Sequence, residues 1–316
     1  MVSSIASVER LGRLVGFLEQ DVGNLALRKD AVREACGVGD WERACELIEA
    51  GLWLHPSEVE LLLLRARAQH HLRRRAEAIA DCEACLALTS GHADAHGLLA
   101  LLLQEEQRIA QAKMHAAAAL SLNPQQREAL LARAAIAREE RDYEAAVQSL
   151  DALLAVDPQC GRAWHELAVM KVENLELEAA RHDVEQAALH MPQHIGTWHV
   201  LGWIEILRGD AAAAERAFDK ALALDRNFGE THGGLAVVAA MHGRKDAARI
   251  SIKRALRLNP QSMSPHYAQM LLLRAEDKHE EARAVLEKFL ERPVPGSGLP
   301  FRDVLAQHVE HLRKRA

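Results

Sequence analysis

Aromatic residues are scarce: two Tyr, five Phe and five Trp in 316 residues, against a hydrophobic content of 49%. Ala and the aliphatic residues must therefore build the core, which favours helices. Cysteine is also sparse and odd in number (Cys36, Cys45, Cys82, Cys85, Cys160), which excludes a disulfide framework and leads us to expect a reducing, cytoplasmic setting. The longest apolar stretches, such as Leu98–Leu103, fall far short of the ~18 residues a membrane helix requires, so no membrane insertion is expected. The opening MVSSIASVER has no basic stretch followed by an apolar run, so a secretory leader is not expected either. A formal charge of −6 supplies no general attraction for nucleic acid or anionic lipid. Nine Pro, 18 Gly and the lack of any low-complexity tract exclude a disordered or fibrous chain. One hydrophobic core stops growing near ~250 to 300 residues, so this chain must divide or repeat.

It repeats. Pro56, Pro124, Pro158, Pro192 and Pro260 are separated by 68, 34, 34 and 68 residues, and the two missing beats fall on Ser90 and Arg226 in similar local settings. A second phase of the period reads Ala44, Ala78, Ala112, Ala146, Ala180, Ala214, Ala248 and Ala282. With Ala at 56 of 316 positions, eight in succession arise by chance about once in ~10⁶ trials at a chosen phase, so the period is real. A third phase gives Ala66, Ala100, Ala134, Ala168, Gly202 and Ala236. Small residues at two fixed places imply two closely packed helices per unit. Turns such as Gly39-Asp40, Gly209-Asp210 and Gly243-Arg244 split each unit, and the proline that cannot continue the second helix opens the next connection.

Trp198-x-x-Leu201-Gly202 followed by Ala214-x-x-x-Phe218 resembles the tetratricopeptide repeat signature, as does Trp164-x-x-Leu167-Ala168 with Ala180 and Pro192. Eight such units run over 25–296. Arg65, Arg133 and Gln269 depart from the signature's Leu, and Val294 stands in place of the last closing Pro. The resemblance implies an all-α, right-handed superhelical solenoid of helix-turn-helix repeats. In that register 1–24 is a half-repeat, with Arg10–Leu18 as a second helix and 20–24 as its closing turn. After the break at 293–298, Phe301, Val304, Leu305, His308, Val309 and Leu312 form one helical stripe, and 297–316 is expected to be a capping helix that hides the open apolar end. The alternative for that stripe, beside Arg313, Lys314 and Arg315, is a membrane-surface helix.

The resemblance also implies that the first helix of every unit lines a concave groove, with the second, fifth, ninth and twelfth places facing it. Early in the chain those places hold Lys29, Arg33, Arg67 and His70, next to His71, so an acidic ligand segment is expected there. Later they hold His165, Val169, Val172, His199, Trp203, Ile206, Val237, Tyr267 and Leu271, an apolar strip with two histidines. Covering exposed apolar surface yields ~25 cal/mol per Å², so a partner peptide or helix is the expected occupant, with Trp203 as its main anchor. Trp203 also has a core reading, since a superhelix can tuck inner apolar residues together. Trp41, Tyr143, Trp164 and Trp198 occupy packing places, while Trp53 can mark an outer-face contact.

Chemistry has little support. Cys82-x-x-Cys85 lies on core places of a second helix and reads as buried thiols rather than a redox or zinc element. His92 with His96 and His308 with His311 have one-face spacing without a third ligand, so no metal is expected. No P-loop, dinucleotide fingerprint, nucleophile elbow or HExxH helix is present. The basic run Arg65–Arg75 lacks the interleaved aromatics of a nucleic-acid patch. A chaperone-tail clamp of this family is incomplete: Lys29 fits, but Arg33, Leu64, Asp94 and Leu98 occupy the remaining clamp places. The sequence thus reads as a non-catalytic protein-binding scaffold without cofactor. The other readings kept are a self-assembling structural protein joined through its ends, a metal-dependent enzyme and an RNA-binding helical repeat.

Overall fold

The computed structural model describes residues 2–293, 299–303 and 306, with side chains from residue 6 onward. It divides into two compact units, Met1–Pro158 and Gln159–Ala316, at one of the period's proline positions. In the first unit α1 (Val2–Gln20) precedes four antiparallel pairs: α2 (Leu25–Val38) with α3 (Trp41–Leu54), α4 (Val59–His71) with α5 (Arg75–Leu88), α6 (Ala93–Glu105) with α7 (Ile109–Leu122), and α8 (Arg127–Glu139) with α9 (Tyr143–Val156). The second unit holds α10 (Gly161–Glu173) with α11 (Leu177–His190), α12 (Ile195–Arg208) with α13 (Ala211–Leu224), α14 (Gly229–Met241) with α15 (Lys245–Leu258), and α16 (Ser264–Arg274) with α17 (His279–Leu290). Among the described residues there is no strand, only an isolated bridge between Pro293 and Pro300. Each unit is a short all-α solenoid of helical hairpins.

The period sets the packing. All eight alanines of the second phase, from Ala44 to Ala282, are buried, and so are Ala66, Ala100, Ala134, Ala168, Gly202 and Ala236. Small side chains at these places let the paired helices approach, and larger residues fill the space beside them. In the second unit Phe218 is fully buried, and its ring lies where a Cβ on Gly202 or Gly234 would come within 2.6 or 2.5 Å of it. Those two glycines are what make room for an aromatic core residue.

The turn inside each pair has its own 34-residue beat. Gly39, Arg73, Gln107, Arg141, Leu175, Gly209, Gly243 and Asp277 all have positive φ, between 59° and 82°. The next residue donates its N–H five residues back, as Asp40 does to Ala35 O (3.0 Å) and Lys278 to Leu273 O (2.9 Å), which satisfies carbonyls left open at the helix end. Only three of the eight are glycines, so five turns hold a side chain in the left-handed region at a cost of roughly 1 kcal/mol each.

Two departures from the repeat signature have partners one helix away. Arg65 grips the buried Asp81 through Nε and Nη2, both at 2.7 Å, and Arg133 Nε donates to Ser149 Oγ at 2.9 Å. At the start, α1 runs from Val2, earlier than the Arg10 expected of a half-repeat. Of the expected capping helix, Phe301 to Asp303 are helical; Val304, Leu305, His308, Val309 and Leu312 lie outside the described residues.

Candidate functional site

The second unit contains a cavity of about 800 Å³. Trp203, Ile206 and Leu207 reach it from α12, Met270 and Tyr267 from α16, and Val285, Leu286, Phe289 and Leu290 from α17. Phe301 closes one side, its ring 5.0 Å from that of Phe289, and its N–H donates to Arg292 O at 2.9 Å. The repeat slips beside this space. The close-packing place of the third phase falls on Met270, half-exposed, while Ala268, two residues earlier, is the buried small residue of a helix that begins at Ser264-Pro265. A lining this apolar, with a few polar groups at its edge, has the character of a binding site. The polar groups are Glu230, Ser264 and His266. Ser264 Oγ donates to Glu230 (2.8 Å), which also accepts from Asn259 Nδ2 (3.3 Å).

Three of the sequence-predicted residues meet in this cavity: Trp203, Ile206 and Tyr267. Trp203 is half-buried and sits edge-on to Phe218 at 6.2 Å, so it serves core and cavity wall together. Tyr267 is 42% exposed. Two other predicted residues are not on an open surface. Val237 is fully buried in the core with Phe218 and Ala236, because Gly233, Gly234 and the alanines of α14 let neighbouring helices close over that line. His199 is buried between Phe218 and Phe228, edge-on at 5.4 and 5.1 Å, and hydrogen-bonds Thr231 Oγ1 at 2.8 Å. Burial pushes its pKa down to about 4, so it is a neutral core histidine at neutral pH. His165 and Val169 are half-buried; His165 packs edge-on against His194 and faces Thr197 Oγ1 at 3.3 Å.

In the first unit the expected basic end is neutralised from within. Lys29 Nζ pairs with Glu58 (2.7 Å) and Glu60 (2.9 Å), Arg33 with Asp30 (2.7 Å) and Glu60, Arg67 with Glu128 (3.0 Å) and His70 with Glu105 (3.1 Å). The Lys29 hydrogen bond, joined by that of Arg33, holds the Glu60 carboxyl below its usual range. Apart from Asp30, which lies on α2 itself, the carboxylates come from about one period or two further along the chain. These four side chains therefore offer an acidic ligand no charge that the chain has not already paired.

Cys82 and Cys85 are fully buried, burial raises the Cys82 thiol far above its ordinary value, and Cys85 Sγ faces Val59 O at 3.2 Å. His96 meets His115, Nδ1 to Nδ1 at 2.9 Å, rather than His92. Among the described residues no group of three or more His, Cys, Asp or Glu is arranged to hold a metal ion, and no helix is long and apolar enough to cross a membrane. Trp53 stands 86% exposed at the end of α3.

The groove residues expected from the sequence all lie on first helices, so the α17 wall is absent from them, and Phe301, expected in the capping stripe, lines the cavity. The signal was there: Val285, Leu286, Phe289 and Leu290 form a wider apolar face than one helical neighbour requires.

Comparison with the curated proteins finds no match. Among solved structures the chain is similar to a chain of the APC/C hetero-tetramer Cut9–Hcn1, at TM-score 0.69 and 18% identity, covering 85% of this chain and 52% of that one, so it spans about half of that relative's length. It is also similar to PilF of Pseudomonas aeruginosa (TM-score 0.58, 16% identity, 67% and 96% covered) and to human IFIT1 in its dimer with m7Gppp-AAAA (0.62, 16%, 88% and 76%). Models of the tetratricopeptide repeat match residues 29–93, 136–194 and 205–273. With three matched stretches, the hairpin period and these neighbours in agreement, the chain belongs to the tetratricopeptide repeat family.

Proposed function

We propose that this chain is a non-catalytic protein-binding scaffold whose second unit holds an apolar segment of a partner protein in the cavity between Trp203 and Leu286. Tetratricopeptide repeats generally mediate protein–protein interaction or scaffolding. The observation that supports this site is the cavity itself: about 800 Å³ lined by Trp, Tyr, Phe, Met and Leu side chains and open to solvent. Surface of that kind gains from being covered, at ~25 cal/mol per Å². A capped RNA such as the one bound by human IFIT1 asks for phosphate-neutralising cations along its path, and the wall of this cavity is apolar. The five cysteines are free thiols, which suits a reducing, cytoplasmic setting. The partition 1–24, 25–296 and 297–316 remains our proposal for how half-repeat, repeats and cap divide the chain.

The test is selection of peptides from a displayed random library on the full chain. Peptides rich in aliphatic and aromatic residues are expected, with binding weakened by Trp203→Ala and by Leu286→Asp. Truncating a central Trp anchor typically costs ~2 kcal/mol or more. Selected peptides that bind both folded variants as tightly as the wild type would overturn the site.

A further inference from the structure

We infer that the cavity has an occupant within the chain itself: the apolar stripe that starts at Phe301 and continues through Val304, Leu305, His308, Val309 and Leu312 covers it, and a partner segment binds by displacing that stripe. This rests on the proposed cavity binding and adds its regulation. The start of the stripe is fixed. Pro293 and Pro300 form a bridge, Phe301 N–H donates to Arg292 O at 2.9 Å and Arg302 Nη1 to Glu291 at 2.8 Å, so the chain returns against the end of α17. There Phe301 lines the cavity, its ring 5.0 Å from that of Phe289. Residues 301–303 and Ala306 are helical. On one helix the places three, four, seven, eight and eleven after Phe301 share its face, and those places hold the rest of the stripe. Residues off the stripe report the other side: Arg302, Asp303 and Ala306 are exposed, while Phe301 is half-buried. A helix leaving the wall in this orientation carries its aliphatic face toward the hollow.

The hollow calls for such a face. Leu207, Met263, Tyr267 and Leu286, all on its lining, are 51%, 43%, 42% and 41% exposed. Large apolar side chains gathered in one open place mark a contact surface. The dimensions agree as well. Helix α14 packs against both α12 and α16, and packed helices lie ~8–10 Å apart, so the lining from α16 to α12 spans roughly 20 Å. Eleven helical rises of ~1.5 Å, from Phe301 to Leu312, cover roughly 16 Å. A segment tethered at the wall is also present at high effective concentration. Any partner then binds only the fraction of molecules whose hollow is free, and its apparent affinity falls by that fraction. The stripe also describes the competitor: a partner segment that replaces it is an amphipathic helix with aliphatic residues at the same i, i+3, i+4, i+7 spacing.

The experiment titrates a labelled synthetic peptide of residues 304–316 against the full wild-type chain and against the chain carrying Leu305→Asp with Val309→Asp, both shown to be equally helical by circular dichroism. The double variant, whose own stripe is charged, should bind the peptide about tenfold more tightly than the wild type, as expected when the hollow goes from mostly covered to free. Adding Leu286→Asp should remove that gain. Equal affinity for wild type and double variant, or a gain that survives Leu286→Asp, would overturn the inference. A second measurement needs no variant: amides of 304–312 should exchange slowly in the wild-type chain, and exchange at the rate of the free peptide overturns it too. Library-selected apolar peptides that bind wild type and double variant equally well would remove the stripe's role and leave the cavity reading standing. No binding of either the selected or the 304–316 peptides to any form would overturn both.

Discussion

The two units spend the same repeat differently. Along the first unit, the cations Lys29, Arg33 and Arg67, together with His70, each meet a carboxylate of its own chain, and the line they form is saturated. The second unit leaves Trp203, Tyr267, Leu286 and Phe289 around an open hollow. The contrast extends to the core. At the register where the second unit has Leu201, Ala217 and Phe218, the first has Arg65, Asp81 and Cys82, an ion pair and a thiol in place of an aromatic plug. Equivalent places in a repeat thus fix the backbone while the side chains decide whether a unit satisfies itself or waits for another molecule.

Removing the plug is the strongest way to break the contrast. Phe218→Ala should destabilise by about 3 to 5 kcal/mol and open a void beneath Trp203, whereas Cys82→Ala at the matching place should cost about 1 kcal/mol. Hydrogen exchange resolved along the chain, with denaturant melts, distinguishes them; equal losses would show that the cores are equivalent after all.

Acid should weigh on both units, since burial lowers the pKa of His71 and His115 in the first as well, but His199 in the second has the shift large enough to follow. His199 has its folded pKa lowered to about 4 from 6.5, so the unfolded chain binds its proton first as pH falls. Its contribution is fully present above pH 6.5, declines between 6.5 and 4, and amounts to something on the order of 3 kcal/mol by linkage. The loss is expected in exchange from α12 to α14, and His199→Gln should flatten it; an unchanged slope in that variant assigns the effect elsewhere.

The ion pair sharpens the comparison further. Asp81→Ala strands the half-buried Arg65 and should cost about 2 to 3 kcal/mol, while Arg65→Leu with Asp81→Ala, which installs the second unit's residue types, should recover most of it. A double-mutant cycle in urea measures the coupling. Smallest is Leu175→Gly: relieving a left-handed, exposed leucine should raise stability by about 1 kcal/mol, seen as a higher urea midpoint, and a decrease would mean the side chain packs usefully.

The period made the hairpins legible, since buried alanines at a constant interval leave little freedom in how helices pair. Charge neutralisation was less visible: Glu58, Glu60 and Glu105 sit 27 to 35 residues from the cations they answer, and only stacking the units by register would have shown it. Val237 and His199 are buried rather than on the groove because the glycines of α14 draw its neighbours inward, closing places that the family pattern leaves open. The left-handed turns at Arg73, Gln107, Arg141 and Leu175 left no trace, because Arg, Gln and Leu do not announce that conformation, whereas Asp277 is of a type that visits it more readily.

Those hairpin tips have an engineering consequence. Each belongs to a different helical pair, is exposed, and lies outside the cavity lining, so changes made there should sum with little cross-talk. The molecule therefore carries five separate dials with which its resistance to unfolding can be raised stepwise, leaving whatever it grasps untouched.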